Sequence, residues 1–161
     1  MRRLSAFAVS ILCLNLIACG PSSGSSPSAS QTPAPAVQGL SPEEIATAMA
    51  ALPAPYFAAN YDAGRRVFAQ CRSCHTIEEG GPNRLGPNLH GVFGRPVGSV
   101  EGFAYSQAVA DADFTWDADK LEHWLENPRT FLPGNRMAFA GVRDQEQRHN
   151  LIAYLMVESG R

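Results

Sequence analysis

Cys71-Arg72-Ser73-Cys74-His75 sets two thiols about one helical turn apart and puts an imidazole directly after the second. No other stretch limits so strongly what this chain can fold into, because three donor side chains must converge on one point. Three chemistries use such a pair. Half a zinc site needs two more ligands, yet the only other cysteines, Cys13 and Cys19, lie far toward the N-terminus, and His90, His123 and His149 lack the usual paired spacing. A redox dithiol calls for a βαβ setting, and the chain has no run of period-two alternation. Cys-x-x-Cys-His is also the attachment pattern for c-type haem: the thiols add to the two vinyl groups and the adjacent histidine is forced under the iron. The expected cofactor is therefore one covalent haem c, held by Cys71, Cys74 and His75.

The N-terminus frames that expectation. Arg2 and Arg3 precede an apolar run from about Leu4 to Ala18, too short to span a bilayer comfortably and of the size of a secretory h-region. Residues 1–18 are expected to be a signal peptide. Leu16-Ile17-Ala18-Cys19 resembles the lipobox of bacterial lipoproteins, in which the cysteine becomes the lipidated first residue. More than one acyl chain on such a terminus meets the requirement for durable anchoring. Cys71 and Cys74 are then the only thiols left, and an oxidising compartment would pair them unless another chemistry claims them. The stretch from Gly20 to Gly39 is Ser, Pro, Ala, Gly and Gln with few large apolar residues, so it cannot offset its ordering entropy. Residues 19–40 are read as lipidated terminus and linker, with a reach of about 25 Å. The formal charge of −2 becomes more negative once Arg2 and Arg3 leave, which argues against nucleic acid as a partner. The expected product is a monomer in the bacterial cell envelope, lipid-anchored on the periplasmic side of a membrane.

Helical signals divide the remainder. Ser41-Pro42-Glu43-Glu44 makes a capping box with proline at the first helical position, and Pro53 and Pro55 end the short helix it opens. Its few apolar residues, Ile45, Met49 and Leu52, lean on the main domain or on nothing, so residues 41–58 form a helix and connector ahead of a domain at 59–161. Asp62 is expected to cap a helix in which Gly64, Val67, Phe68 and Cys71 form one stripe. Asp117 opens another, with Leu121, Trp124 and Leu125 inward, and a last helix starts near Asp144 and carries Leu151, Tyr154 and Leu155. Loops rich in Gly, Pro and Asn lie between, at 80–102 and 127–141. The class is all-α. A haem iron with one histidine needs a sixth ligand for stable electron transfer, and Met137 lies on a turn-rich loop, whereas Met49 and Met156 sit in helices. A lone methionine is also common core filler, and position leaves both readings open.

From about Asp62 to Arg161 the chain resembles class I cytochrome c of the mitochondrial type and its bacterial relatives. The resemblance rests on CRSCHTIEEGG, GPNLHGVFGRPVG, GFAYSQA, FTWDADKLEHWLENP, PGNRMAFAGV and LIAYL, in family order and spacing. It implies a helical domain wrapped around one haem, with Met137 as sixth ligand. It implies Pro87 as the carbonyl that accepts from His75 Nδ1, and Arg95, Tyr105 and Trp116 around a haem propionate. It further implies that Gly64 and Phe68 pack against Leu151 and Tyr154. Departures thin the polar network expected near the haem: Trp124 stands for a tyrosine, Asn135 and Val97 for threonines, and Val109 for an asparagine. Lysine is nearly absent, and Arg84, Arg129, Arg136 and Arg143 take basic positions around the expected haem edge. The carboxylates Asp111, Asp113, Asp117, Asp119, Glu122 and Glu126 fall on a stretch away from it. The function expected is one-electron transfer, without catalysis, between membrane-bound respiratory complexes such as a quinol:cytochrome c reductase and a terminal oxidase. The alternative is a haem peroxidase or ligand sensor with a labile Met137.

Overall fold

The computed structural model describes residues 39–161; the expected signal peptide, Cys19 and the linker up to residue 38 lie outside the described residues. Six helices follow in order: α1 (Pro42–Ala50), α2 (Tyr61–Phe68), α3 (Gln107–Ala110), α4 (Ala118–Glu126), α5 (Pro128–Phe131) and α6 (Gln145–Glu158), with a 3-10 turn at Tyr56–Ala58 between α1 and α2. Among the described residues there is no strand, only an isolated antiparallel bridge between Pro96 and Thr115. The architecture is all-α, as expected.

Local chemistry accounts for most helix starts. Ser41 Oγ accepts from Glu44 N at 3.3 Å while Glu44 Oε2 accepts from Ser41 N at 2.7 Å, closing the capping box and holding the Glu44 carboxyl below its usual range. Asp117 and Asp144 cap α4 and α6 by accepting from Lys120 N and Gln147 N. The start of α2 differs from expectation. Asn60, not Asp62, is the cap, accepting from Ala63 N at 2.8 Å. Asparagine caps as well as aspartate, and the choice is tertiary: Asn60 N donates to Asn150 Oδ1 of α6 at 2.6 Å. Asp62 is left in the first turn, beside Arg65 at 3.0 Å. The four-residue helices α3 and α5 carry no sequence stripe, and α5 stands inside a stretch expected to be loop.

The core is organised around α6. Its buried residues include Asn150, Leu151, Ile152, Ala153, Tyr154 and Leu155 in unbroken succession, so they fall on every side of the helix and every side must be covered. The helix α2 covers one side at very close range. A Cβ on Gly64 would lie 2.0 Å from Asn150 O and 2.8 Å from Tyr154 Cβ, so only glycine permits this approach. Phe68 then stacks at a tilt on Tyr154, ring centroids 5.1 Å apart. A second side meets α4, where the buried Arg148 donates from Nε to Glu122 Oε1 at 2.8 Å. The third is covered by the N-terminal arm: Met49 of α1 and Tyr56 of the 3-10 turn are buried in the same core as Leu151 and Ile152, and Tyr56 sits edge-on to His149. The arm thus leans on the main domain, the first of the two options its weak apolar face allowed.

Candidate haem-binding site

The thiols are delivered by the turns that continue α2. Cys74 N and His75 N both donate to Cys71 O, at 3.0 and 2.9 Å, which winds the pentapeptide tightly and sends all three donor side chains out of one turn. Neither cysteine is in a disulfide. Burial, with Cys74 beside it, pushes the Cys71 thiol up to about 11.

His75 is the most constrained side chain of the set. Its Nδ1 lies 2.7 Å from Pro87 O. A carbonyl can only accept, so Nδ1 carries the proton and Nε2 presents its lone pair, the orientation a metal-ligating histidine needs. Burial lowers the pKa of His75 and so favours the neutral ring. Gly86 lies against the ring face, where a Cβ would meet His75 Cε1 at 2.2 Å. Asn88 then ties the neighbouring loop together, donating from Nδ2 to Thr76 Oγ1 at 2.7 Å and to Glu78 O at 3.0 Å.

Three further residues come together on the loops that follow. Gly94 N donates to Trp116 O at 2.8 Å and Trp116 N to Arg95 O at 2.9 Å, which sets Arg95 beside Trp116. The half-buried Arg95 donates from Nη1 to His90 O and from Nη2 to Asn88 O, at 2.8 and 3.1 Å. Burial lowers its pKa. The Tyr105 hydroxyl accepts from Val100 N at 3.3 Å. Trp116 also touches Trp124, and both pack around Phe131, with Phe114 beside Trp116, at centroid distances from 4.9 to 6.3 Å. The side of α4 that bears Trp124 is therefore aromatic.

Met137 lies on the chain between α5 and α6. Asn135 Oδ1 accepts from Met137 N at 2.9 Å, and Asn135 Nδ2 donates to both Pro128 O and Leu132 O at 2.8 Å. The exit of this loop is stapled to α4: Val142 N donates to Leu125 O at 2.7 Å, and a Cβ on Gly141 would lie 2.1 Å from Glu126 O. Arg148 Nη1 adds bonds to Val142 O and Arg143 O, each 2.8 Å. Sequence reasoning missed Gly86, Asn88, Gly141 and Arg148. The adjacency of Gly86 and Asn88 to Pro87 was a usable signal; Gly141 and Arg148 gave none, since their partners are remote backbone carbonyls.

This donor set fits a covalent haem: two unpaired thiols, a neutral imidazole whose Nε2 is free, and a glycine that leaves room for the ring. Comparison with known proteins agrees. The chain is 40% identical over 106 residues to cytochrome c of Kluyveromyces lactis, covering 65% of this chain and 96% of that protein. It is 42% identical over 107 residues to cytochrome c2 of Blastochloris viridis, covering 66% and 84%. Cytochrome cH from Methylobacterium extorquens superposes with a TM-score of 0.56 at 38% identity, over 60% of this chain and 97% of that one. No family model matches the chain. Fold and site together define a small helical haem protein. The chain belongs to the class I cytochrome c family. It carries one covalently bound c-type haem with its iron and is a haem-based electron carrier.

Proposed function

We propose that this protein carries single electrons between membrane-bound redox complexes, taking them from a donor such as a quinol:cytochrome c reductase and passing them to an acceptor such as a terminal oxidase. Cys71 and Cys74 would hold the haem by thioether bonds, and His75 and Met137 would ligate its iron. The haem supplies an iron that changes oxidation state without changing its ligands. The observation that carries this reading is the His75 Nδ1 to Pro87 O contact of 2.7 Å, which fixes tautomer and ring direction together. A thioether favours ferrous iron, so Met137 would raise the reduction potential above that of a bis-histidine site. Arg95, Tyr105 and Trp116, gathered on adjacent loops, would border a propionate, and Trp124 would offer its indole N–H where an acceptor-only group can use it.

The N-terminus belongs to the same proposal. Cys19 holds lipid on the periplasmic side of a membrane, and the linker keeps the domain close to its partners, which raises effective concentration. Electrons leave on the side of Arg84, Arg129, Arg136 and Arg143. Arg129 and Arg143 line one surface depression with Thr130 and Phe139 and make no ion pair among the described residues. Glu122, counted among the acidic residues away from that side, is instead committed to Arg148 in the interior. A basic surface patch of this kind steers an acidic partner.

The test is Met137→Ala in the holoprotein. Haem should remain covalently attached while the low-spin spectrum gives way to one that responds to cyanide, and the potential should fall. An unchanged spectrum and potential would assign the sixth position to another side chain. The second reading, a peroxidase or ligand sensor, requires an open or labile sixth position in the wild type. A wild-type spectrum that already shifts on adding cyanide would favour it.

A further inference from the structure

The stretch that bears Met137 has an unusual point of attachment: a single side-chain amide makes three hydrogen bonds to it. Asn135 Nδ2 lies 2.8 Å from Pro128 O and 2.8 Å from Leu132 O, and Oδ1 lies 2.9 Å from Met137 N. The partners leave no doubt which amide atom is which, because two carbonyls only accept and a backbone N–H only donates. Both amide hydrogens are spent. Pro128 is fully buried at the start of α5, and Leu132 closes the same short helix, whose N–H donates to Pro128 O at 3.1 Å. Asn135 therefore bolts the beginning and end of α5 to the backbone of Met137. A threonine at this position, with one hydroxyl hydrogen, could satisfy one of the two carbonyls.

We propose that Asn135 is a positioning residue for Met137: its amide locks the loop against opening and so guards the sixth iron position from small exogenous ligands. With both side-chain hydrogens committed to Pro128 O and Leu132 O, Asn135 acts on Met137 through its Oδ1. The proposal rests on Met137 being the sixth ligand. The lock acts locally. Arg148 Nη1 pins the loop exit at Val142 and Arg143 by separate bonds, so loss of the amide leaves that exit in place and frees the segment around Met137.

Imidazole added to the ferric holoprotein is the probe, because it reaches the iron only after Met137 has left, and its saturating binding rate reads the opening of the loop. Asn135→Ala should speed that opening about 10-fold to 100-fold, as expected when three neutral hydrogen bonds are lost. Asn135→Thr should fall between that variant and the wild type, and it serves as the measurement if the alanine variant yields no holoprotein. Ile152→Val, a core change of α6, supplies the comparison: it should lower the thermal midpoint while leaving the imidazole rate within about twofold. An Asn135→Ala rate within twofold of wild type overturns the proposal. So does an Ile152→Val rate that rises as much as that of Asn135→Ala, since the asparagine would then act only through overall stability. Met137→Ala, measured alongside, separates the two failures: if it leaves the spectrum unchanged, the ligand assignment falls, and if it changes the spectrum while Asn135→Ala leaves the rate unchanged, only the lock falls.

Discussion

The α2–α6 crossing and the loop from Asn127 to Val142 stand in the same small domain but are held by different forces. At the crossing, Phe68 has no exposed surface and stacks on the buried Tyr154, and Gly64 lies against the Asn150 backbone; apolar burial and close packing do the holding. Around Met137 the holding is done by polar side chains that reach the backbone: Asn135 donates to two carbonyls and accepts from Met137 N, and Arg148 donates to two more carbonyls. Packed apolar contacts are shared by many neighbours, so damage there spreads to the whole fold. Hydrogen bonds in a loop can break one region at a time, which is the behaviour of a locally opening segment.

Gly64→Val is the strongest way to break this comparison. The added side chain begins 2.0 Å from a main-chain oxygen, which no rotamer relieves, so α2 and α6 must separate. A loss of about 4 kcal/mol or more is expected, in the range of severe core disruption, and thermal unfolding of the holoprotein measures it. A thermal midpoint within a few degrees of wild type would show that the crossing is not a tight contact.

The N-terminal arm sharpens the same contrast. Starting the chain at Ala59 removes Met49 and Tyr56 and uncovers part of α6, and burying two such side chains contributes about 3–5 kcal/mol. Starting it at Gly39 removes none of this. Denaturant unfolding of the two truncated holoproteins should differ by that amount; equal midpoints would reduce the arm to an appendage.

Charge on the loop side should affect encounter and leave the frame alone. Arg129→Glu with Arg136→Glu should slow electron transfer to the membrane partner about 10-fold at low salt, with the wild-type rate falling toward it as ionic strength rises. The chain starting at Gly39 is the right material, since the tether would mask weakened association. Rates indifferent to both salt and charge reversal would place docking on another face.

The smallest effect is expected at Asp117. Its carboxyl is held below the usual range, first by the Lys120 side chain and then by Lys120 N. Its contribution is therefore present above the unfolded carboxylate value of about 3.9 and is lost as pH falls through the lower folded value. Asp117→Asn keeps a capping oxygen but should flatten the acid limb of stability by less than about 1 kcal/mol, because the group is exposed and screened. Stability curves of the two proteins between pH 2 and 6 would show it, and identical acid limbs would remove Asp117 from the account.

Much of the molecule is legible in the sequence. Cys71, Cys74 and His75 are local, and so are the caps Ser41, Asp117 and Asp144, because spacing along a helix or turn is itself a sequence property. Resemblance added Pro87 and the glycine at the helix crossing. Asn135 was visible only as a departure from threonine, and its three bonds were not.

Local spacing and side-chain chemistry alone determined the haem attachment turn, the all-α class and most of the helix starts. Tertiary structure decided what depended on partners far along the chain: that Asn60 and not Asp62 caps α2, because Asn150 meets it; that α1 and Tyr56 cover α6, whose apolar residues point in every direction and do not say which neighbour takes which side; and that Glu122 is spent on Arg148. It also turned Asn135 toward Pro128, Leu132 and Met137. A side-chain amide can satisfy many partners equally well, and only the folded backbone decides which carbonyls stand 2.8 Å away.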